Sequence, residues 1–365
     1  MDTQNKLYRN LLSLSFVQIV NFIFPLISVP YVSRIIGPEG HGAIAYATAF
    51  ISYFAILVNY GFQLSGTRRI AQNSEKLSLI VSEILFARII LYTFSILIFL
   101  FVAIVLRGLE SEGLIKVMLF LGIVSNVISP QYIYQGKQDL AIYSKFTFLK
   151  GFLNIIFIFL FIKNEGDYII IPLLSVTLLF LMNTLLFARA IRKYEIKVFT
   201  IPLKRVVNLI VDEKVLFIST LFISLYTTTN IIIVSYFVDS SELGYFTASL
   251  SLLTIISSVI SYPISTALFP HIGKSFSDSD ESGLELIRKL LPIVFYVFLF
   301  TCTVLFAFSP IIIHIIYGEE FIPAVNILRV MAFSPLLIGI SNIYGVQVML
   351  NMKKDKLFFN TTMAA

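Results

Sequence analysis

The sequence predicts an all-α protein that crosses a membrane many times. Hydrophobic residues make up 58% of the 365 residues, and only 13% are charged. Apolar segments separated by short charged loops follow one another from Leu11 to Leu350. A bilayer requires about 20 apolar residues per helical span, and a water-soluble domain cannot bury so many uninterrupted apolar stretches.

Ten apolar segments each have about the length of one helical crossing. The first is too long for a signal peptide, and no small-residue cleavage site follows it, so it is predicted to be a span. The longest connection, Ala190 to Lys214, has room for an amphipathic helix but not for a domain. The predicted spans are 11–34, 43–66, 81–106, 115–135, 146–162, 168–188, 215–238, 244–269, 290–316 and 322–350.

The distribution of basic residues predicts the orientation of these spans. With the N-terminus in the cytoplasm, 21 of the 27 basic residues fall in cytoplasmic loops or at their borders. Cytoplasmic loops of membrane proteins carry the excess of Lys and Arg, so the N-terminus is predicted to be cytoplasmic. Topology thus explains the net charge of +6, and no nucleic-acid partner is needed. Four basic residues fall on the outer side: Arg34, Arg107, Lys116 and Lys163.

A weak internal repeat predicts two related bundles. At a shift of 202 residues Gly42 matches Gly244, one of several identities at that shift. We therefore expect a six-span bundle over residues 1–200 and a second bundle of four spans and a stub over residues 201–365. On this pattern the second bundle is incomplete; the alternative is a genuine ten-span protein.

The sign of the membrane-embedded charge is informative. All acidic residues fall in loops or at span ends, and Glu83 is the deepest of them, whereas Arg88 and Arg329 fall inside spans and Arg34 at the outer end of the first. An Arg at a helix centre costs on the order of 2.5–3.5 kcal/mol on insertion scales, so it normally faces a cavity or a partner. Guanidinium groups bind phosphate bidentately, so a cationic cavity predicts an anionic ligand such as a diphosphate.

Other interpretations of these cations stay open. Arg88 lies near enough to the cytoplasmic end of its span to snorkel there, and Arg34 can pair with Glu39 at the outer surface. Lys150, one turn into the predicted fifth span, is interpreted as a positive-inside anchor.

Amide and hydroxyl side chains within the predicted spans are candidates for lining a path that sugars follow. The alternative is that they form hydrogen bonds between helices, each of which stabilises the packing by about 0.6 kcal/mol. Gln63 and Asn230 from this set complete the candidate substrate-binding site with Arg34, Arg88 and Arg329. No nucleophile–base pair, metal cluster or phosphate-binding glycine loop is recognisable, so neither an enzyme nor a cofactor is expected. The lining set is Gln18, Asn21, Asn59, Gln63, Asn126, Gln131, Thr227, Thr228, Asn230, Asn326, Asn342 and Gln347.

Four stretches resemble a known family. They are Arg34 to Gly42, Tyr60 to Ala71, Ser129 to Gly136 and Tyr317 to Ala324. Together they are similar to the Wzx-like O-antigen and polysaccharide flippases of the multidrug/oligosaccharidyl-lipid/polysaccharide exporter superfamily.

The resemblance implies a V-shaped pair of helix bundles in the bacterial cytoplasmic (inner) membrane. Such a protein moves undecaprenyl-diphosphate-linked oligosaccharide units from the cytoplasmic to the periplasmic leaflet, for O-antigen of lipopolysaccharide or another surface polysaccharide. Arginines would neutralise the diphosphate, and the motif glycines would serve loop geometry and gating. The implied partners are the lipid-linked oligosaccharide, membrane lipids, and polysaccharide polymerase and chain-length proteins.

Three other functions stay open. A multidrug cation antiporter of the same superfamily is expected to carry an Asp or Glu deep in a span. A polysaccharide polymerase or ligase is expected to carry a long external loop with acidic residues. A noncatalytic membrane component of polysaccharide assembly is the third alternative. No residue identifies a coupling ion; Glu83 and Glu39 are the candidates.

Overall fold

A computed structural model describes residues 2–105 and 112–349, together with Met352, Lys354, Leu357 and Thr361. Side chains at 2–16, 18, 19, 21, 22, 226, 261–271, 273, 277, 278, 346 and 347 lie outside this description. The predicted outer-side residue Arg107 and the predicted lining residues Gln18, Asn21 and Gln347 therefore fall outside the described residues.

The described residues are almost entirely helical and contain no strand, which confirms the predicted all-α fold. Short 3-10 segments lie at Ser74–Lys76, Glu165–Ile169 and Glu319–Phe321, and a π-helical segment at Ile343–Met349. The α-helices are α1 Asp2–Asn59, α2 Phe62–Gln72, α3 Leu77–Val105, α4 Gly113–Gly122, α5 Val124–Val127, α6 Gln131–Gly136, α7 Leu140–Phe161, α8 Ile170–Lys193, α9 Leu203–Asp212, α10 Lys214–Thr227, α11 Thr229–Ser235, α12 Ser240–Asp278, α13 Asp280–Ile316, α14 Ala324–Met331 and α15 Ser334–Asn342.

Eight helical stretches of the described chain are long and apolar enough to cross a membrane, so this is a multi-pass membrane protein. A ninth crossing is possible for α10 and α11, which are bent by 42° at their junction. The eight are Ile23–Gln72, Ser74–Val105, Gly113–Gly136, Leu140–Phe161, Glu165–Lys193, Ser240–Ile260, Asp280–Ile316 and Ala324–Gly345.

Every one of the ten predicted spans overlaps one of these stretches or the bent pair of α10 and α11, so the count of ten crossings is not contradicted and stays a prediction. The first two predicted spans are joined in one 50-residue stretch, because the predicted loop 37–42 is helical apart from a break at Gly37. Gly37 has φ 65° and ψ −178°, a backbone conformation that favours glycine, and Pro38 restarts the helix without needing a backbone donor.

The outer faces of these helices are apolar. Large hydrophobic side chains are exposed along α3, where Ile104 is 76% exposed, and along α13, where Phe300 is 72% exposed. Lipid-facing surface of this kind is unfavourable in water and is normal for a protein that spans a bilayer.

The first of two compact units covers Met1–Gly244. Its largest core joins α2, α3, α6, α8 and α9 through Ile70, Ile84, Tyr132, Leu186 and Val206. A second core is aromatic and holds α1, α3 and α4 together through Phe54, Phe99 and Phe120. The rings of Phe99 and Phe120 stack with centroids 4.0 Å apart, and Phe54 meets both edge-on.

The second compact unit covers Tyr245–Ala365. Its core packs α13 against α15. Gly339 allows this close approach, because a Cβ at this position would lie only 2.6 Å from Cε2 of the Phe298 ring. Tyr317 donates a hydrogen bond to the carbonyl oxygen of Ala248 at 3.1 Å, which fixes the end of α13 on α12. The repeat halves 1–200 and 201–365, and their V-shaped arrangement, stay a prediction.

Candidate functional site

Arg88 is buried within the first unit at 1% exposure. Its Nη1 donates to the carbonyl oxygen of Ser129 at 2.9 Å, and its guanidinium carbon lies 5.2 Å from the centroid of the Tyr132 ring. Pro130 interrupts the chain between α5 and α6, so the Ser129 carbonyl needs a donor from another helix. Arg88 therefore holds the break between α5 and α6 by a charge-assisted hydrogen bond and a cation–π contact.

Gln63 on α2 contacts the other end of the same segment. Its Nε2 donates to Gln135 Oε1 at 2.7 Å, and the Thr67 hydroxyl donates to the same oxygen at 3.2 Å. A Cβ at Gly66 would lie 2.8 Å from the Tyr132 ring, so this glycine allows α2 to approach α6 closely. The predicted site residues Arg88 and Gln63 therefore contact the same segment, residues 129–135, from two other helices.

Arg34 and Asn230 lie on other helices of the first unit. Arg34 is exposed on α1, three residues before the break at Gly37. Asn230 is half-buried at the start of α11, and its Oδ1 accepts a hydrogen bond from the backbone N–H of Ile231 at 2.8 Å. The adjacent Thr229 shares a hydrogen bond of 2.6 Å with the Tyr53 hydroxyl, which fixes α11 against α1.

Arg329 belongs to the second unit. Its Nε donates to the Ser309 hydroxyl at 3.2 Å, and its guanidinium carbon lies 5.7 Å from the centroid of Phe306. The Ser309 hydroxyl in turn donates to the Phe306 carbonyl oxygen at 3.0 Å. The Arg329 side chain is half-buried.

Lys150 lies deeper than the sequence predicted. The predicted fifth span begins at residue 146, but α7 begins at Leu140, so Lys150 lies midway along a helix of 22 residues. It lines a cavity of about 140 Å³ between α1 and α7 with Ser28, Thr147 and Asn154. From the sequence alone, Lys150 is assigned only the role of an anchor, because the basic residue Lys145 sets the predicted start of the span at residue 146, six residues after Leu140.

Glu83 on α3 forms a buried ion cluster. Its two carboxylate oxygens pair separately with Arg69 of α2 and Arg205 of α9, and its side chain is only 3% exposed. Next to it, the Ser78 and Ser82 hydroxyls accept hydrogen bonds from the backbone N–H groups of residues 197 and 199. The cluster therefore docks the long connection 190–214 and its helix α9 onto α3.

A second polar contact secures the start of this connection. The Tyr194 hydroxyl donates to Asp139 at 2.7 Å, and Lys193 forms an ion pair with the same carboxylate. Burial and the Asp139 carboxylate both raise the pKa of Tyr194 above its ordinary value, so the hydroxyl keeps its proton and remains a donor.

Lys116 is a second cation of the first unit that the structure buries. It lies at 1% exposure in the first turn of α4, with its Nζ 4.5 Å from the Tyr46 ring centroid and 5.1 Å from that of Phe50. Aromatic faces stabilise an ammonium group that has lost its water. The sequence places Lys116 on the outer side, at the end of the predicted span 115–135, and gives no sign of this aromatic contact.

The charges inside the described spans are therefore predominantly positive. Among the described residues, the buried carboxylates are Glu83, which has two arginine partners, and Glu213, which immediately precedes α10. Neither lies midway along a helix, whereas Lys150 does. The arrangement can hold an anion at mid-depth and offers no described carboxylate there for an organic cation.

Comparison with protein families gives a match over residues 7–276 to the family described as polysaccharide biosynthesis protein. The chain belongs to this family. Two proteins named "Putative O-antigen transporter" are similar to it along nearly its whole length. The protein of Escherichia coli (strain K12) is 27% identical over 98% of this chain and 87% of its own length, and that of Shigella dysenteriae is 25% identical over 96% and 87%.

Solved structures confirm the type of fold. An inward-facing multidrug resistance MATE family transporter of the MOP superfamily matches with a TM-score of 0.74 over 97% of this chain and 87% of its own, at 16% identity. A MOP superfamily transporter from Pyrococcus furiosus, described as having a binding pocket of reverse polarity, matches with a TM-score of 0.61 over 98% of this chain and 84% of its own, also at 16% identity. The chain therefore has a MATE-like helical fold.

Proposed function

We propose that this chain is a flippase for undecaprenyl-diphosphate-linked oligosaccharide units, acting in the bacterial inner membrane with its N-terminus in the cytoplasm. Membership of a polysaccharide biosynthesis family and the similarity to two proteins named as O-antigen transporters support transport of a polysaccharide precursor. The observation that carries the choice of an anionic substrate is Lys150, a cation at the midpoint of α7 that faces a cavity without a carboxylate.

The five predicted site residues receive two roles in this proposal. Arg34, Arg329 and Asn230 are exposed or half-buried, and we assign them to contacts with the diphosphate and sugars. Arg88 and Gln63 hold residues 129–135 in place, and we assign them to positioning. A transporter with these roles needs no catalytic residue.

The multidrug cation antiporter is the alternative that the fold permits, since a MATE family transporter shares it. A cation site at mid-depth requires a carboxylate there, and in the described spans Glu83 is instead neutralised by two arginines. The sign of the buried charge therefore favours the flippase.

Complementation separates these two functions. We expect the chain to restore surface polysaccharide to a bacterium that lacks its own exporter, with no increase in tolerance to cationic drugs. Surface polysaccharide is read by gel electrophoresis, drug tolerance by growth, and membrane insertion by immunoblot of both strains. Increased drug tolerance without surface polysaccharide, in cells where the chain is inserted, would favour the antiporter.

A further inference from the structure

The cavity beside Lys150 is the feature that favours an anionic substrate, and its size and lining narrow the chemistry of the ligand further. It has a volume of about 140 Å³ and lies wholly within the first unit, between α1 and α7. Three of its lining residues are polar and uncharged, and one is basic. Its walls include Phe24, Pro25 and Ser28 of α1 and Thr147, Lys150 and Asn154 of α7.

No side chain that the structure describes neutralises the charge on Lys150. Within the part of the chain that the structure describes, its ammonium group has neither a hydrogen bond nor an ion pair. At 1.5 Å per residue it lies about 15 Å from the start of α7 at Leu140, half the thickness of the hydrocarbon core. An ammonium group at this depth needs water or an anion beside it.

Among the uncharged polar residues of the cavity wall, Asn154 adds a hydrogen-bond donor, and none adds a negative charge. The hydroxyls of Ser28 and Thr147 already donate to the carbonyl oxygens of Phe24 and Tyr143, at 3.1 Å and 3.0 Å. Asn154 accepts a hydrogen bond from Ser175 through Oδ1, and its amide nitrogen donates to no residue that the structure describes. Lys150 and Asn154, one helical turn apart, can therefore both donate to one acceptor in the cavity.

The walls explain why this space exists. A Cβ at Gly151 would overlap the ring of Phe24, so α1 and α7 touch there and hold the cavity open beside the contact. Pro25 cannot donate a helical hydrogen bond, which loosens α1 at the same level. An apolar cavity of about 150 Å³ holds one benzene molecule, so this space admits a single phosphate-sized group and excludes an oligosaccharide.

We propose that the cavity lined by Lys150 and Asn154 is a binding site for one phosphate group. The group is either free inorganic phosphate or a phosphate of the lipid diphosphate, and the second source rests on the proposed flippase function. The sugars of a lipid-linked substrate would remain outside this cavity because of its size.

The local charge can be measured with a single thiol. Cys302 is the only cysteine of the chain and is buried, so Cys302→Ala with Thr147→Cys leaves one thiol, three residues from Lys150. We expect an anionic methanethiosulfonate to react with this thiol faster than a cationic one of similar size. Adding Lys150→Met should lower the ratio of anionic to cationic rates by about tenfold, because the attraction is exerted at short range in a medium of low dielectric constant.

Lys145→Met is the matched control. Lys145 is an exposed lysine on the same helix, and its loss should leave the ratio unchanged. Thermal unfolding checks that each variant is folded, and Lys150→Gln replaces Lys150→Met if the latter is not. A ratio that is the same with and without Lys150 would overturn the proposal.

Protection of the thiol identifies the ligand. Slower labelling in inorganic phosphate supports a free-phosphate site, and slower labelling only with undecaprenyl diphosphate supports the lipid headgroup; both effects should vanish in Lys150→Met. Protection by neither compound would overturn the proposal. The measurement requires no transport, so protection in a chain that fails to restore polysaccharide would reject the flippase function and leave the phosphate site in place.

Discussion

Replacing Glu83 with alanine is expected to destabilise the folded chain more than any other single loss of a charge. The change would leave Arg69 and Arg205 close together without their shared carboxylate. Removing one partner of a buried ion pair costs about 3–5 kcal/mol, and we expect the lower end because the Arg205 side chain is 53% exposed. The midpoint of thermal unfolding in detergent should fall by about 5–10 °C.

Two further variants make this test specific. Glu75→Ala removes an exposed carboxylate close in sequence and should leave the unfolding midpoint unchanged. Adding Arg205→Ala to Glu83→Ala should recover part of the loss, since one of the two uncompensated cations is then gone. An unchanged unfolding midpoint in Glu83→Ala would show that the cluster does not hold α9 on α3.

Replacing Gly42 or Gly244 with alanine is expected to disrupt the packing of α1 on the first turn of α12. A Cβ on Gly42 would lie closer than 3.0 Å to the carbonyl oxygen of Ser240, and a Cβ on Gly244 equally close to that of Pro38. Both obstacles are backbone atoms and cannot rotate away, so the helices must separate. Overpacking of this kind costs about 1–3 kcal/mol or more per site.

Export of polysaccharide and the unfolding midpoint should both fall in each alanine variant. Gly166→Ala is the control, because a Cβ on Gly166 meets no atom within 4 Å. If Gly42→Ala or Gly244→Ala behaved like Gly166→Ala, the close approach of the two helices would not exist in the membrane.

The two glycine contacts are reciprocal. Pro38 and Ser240, like Gly42 and Gly244, are separated by 202 residues, the shift at which the sequence repeats. The predicted repeat, and the incompleteness of its second half, stay predictions.

Composition and periodicity were sufficient to predict the all-α membrane fold, because lipid imposes helical spans on any chain this apolar. They were insufficient at Gly37. A Gly-Pro pair after an apolar run looks like a loop in sequence, but here one glycine with positive φ supplies the whole bend, and helix continues on both sides.

The buried charges were predicted only in part. Arg88 stands out in sequence because it interrupts an apolar run, whereas its partners Ser129 and Tyr132 come from a helix break that hydropathy does not reveal. The partners of Glu83 lie 14 and 122 residues away, so no local pattern links them. Lys150 was misplaced because a helix start within a polar stretch has no sharp hydrophobic edge.

The most direct test of the flippase is transport by the purified chain in liposomes. The vesicles contain a fluorescent undecaprenyl-diphosphate oligosaccharide in both leaflets, and a membrane-impermeant reductant bleaches the fluorophore in the outer leaflet. With the chain present, we expect bleaching to continue beyond the outer-leaflet fraction as inner-leaflet lipid is moved outward. Bleaching that stops at the outer-leaflet fraction, as in protein-free vesicles, would contradict the proposed function.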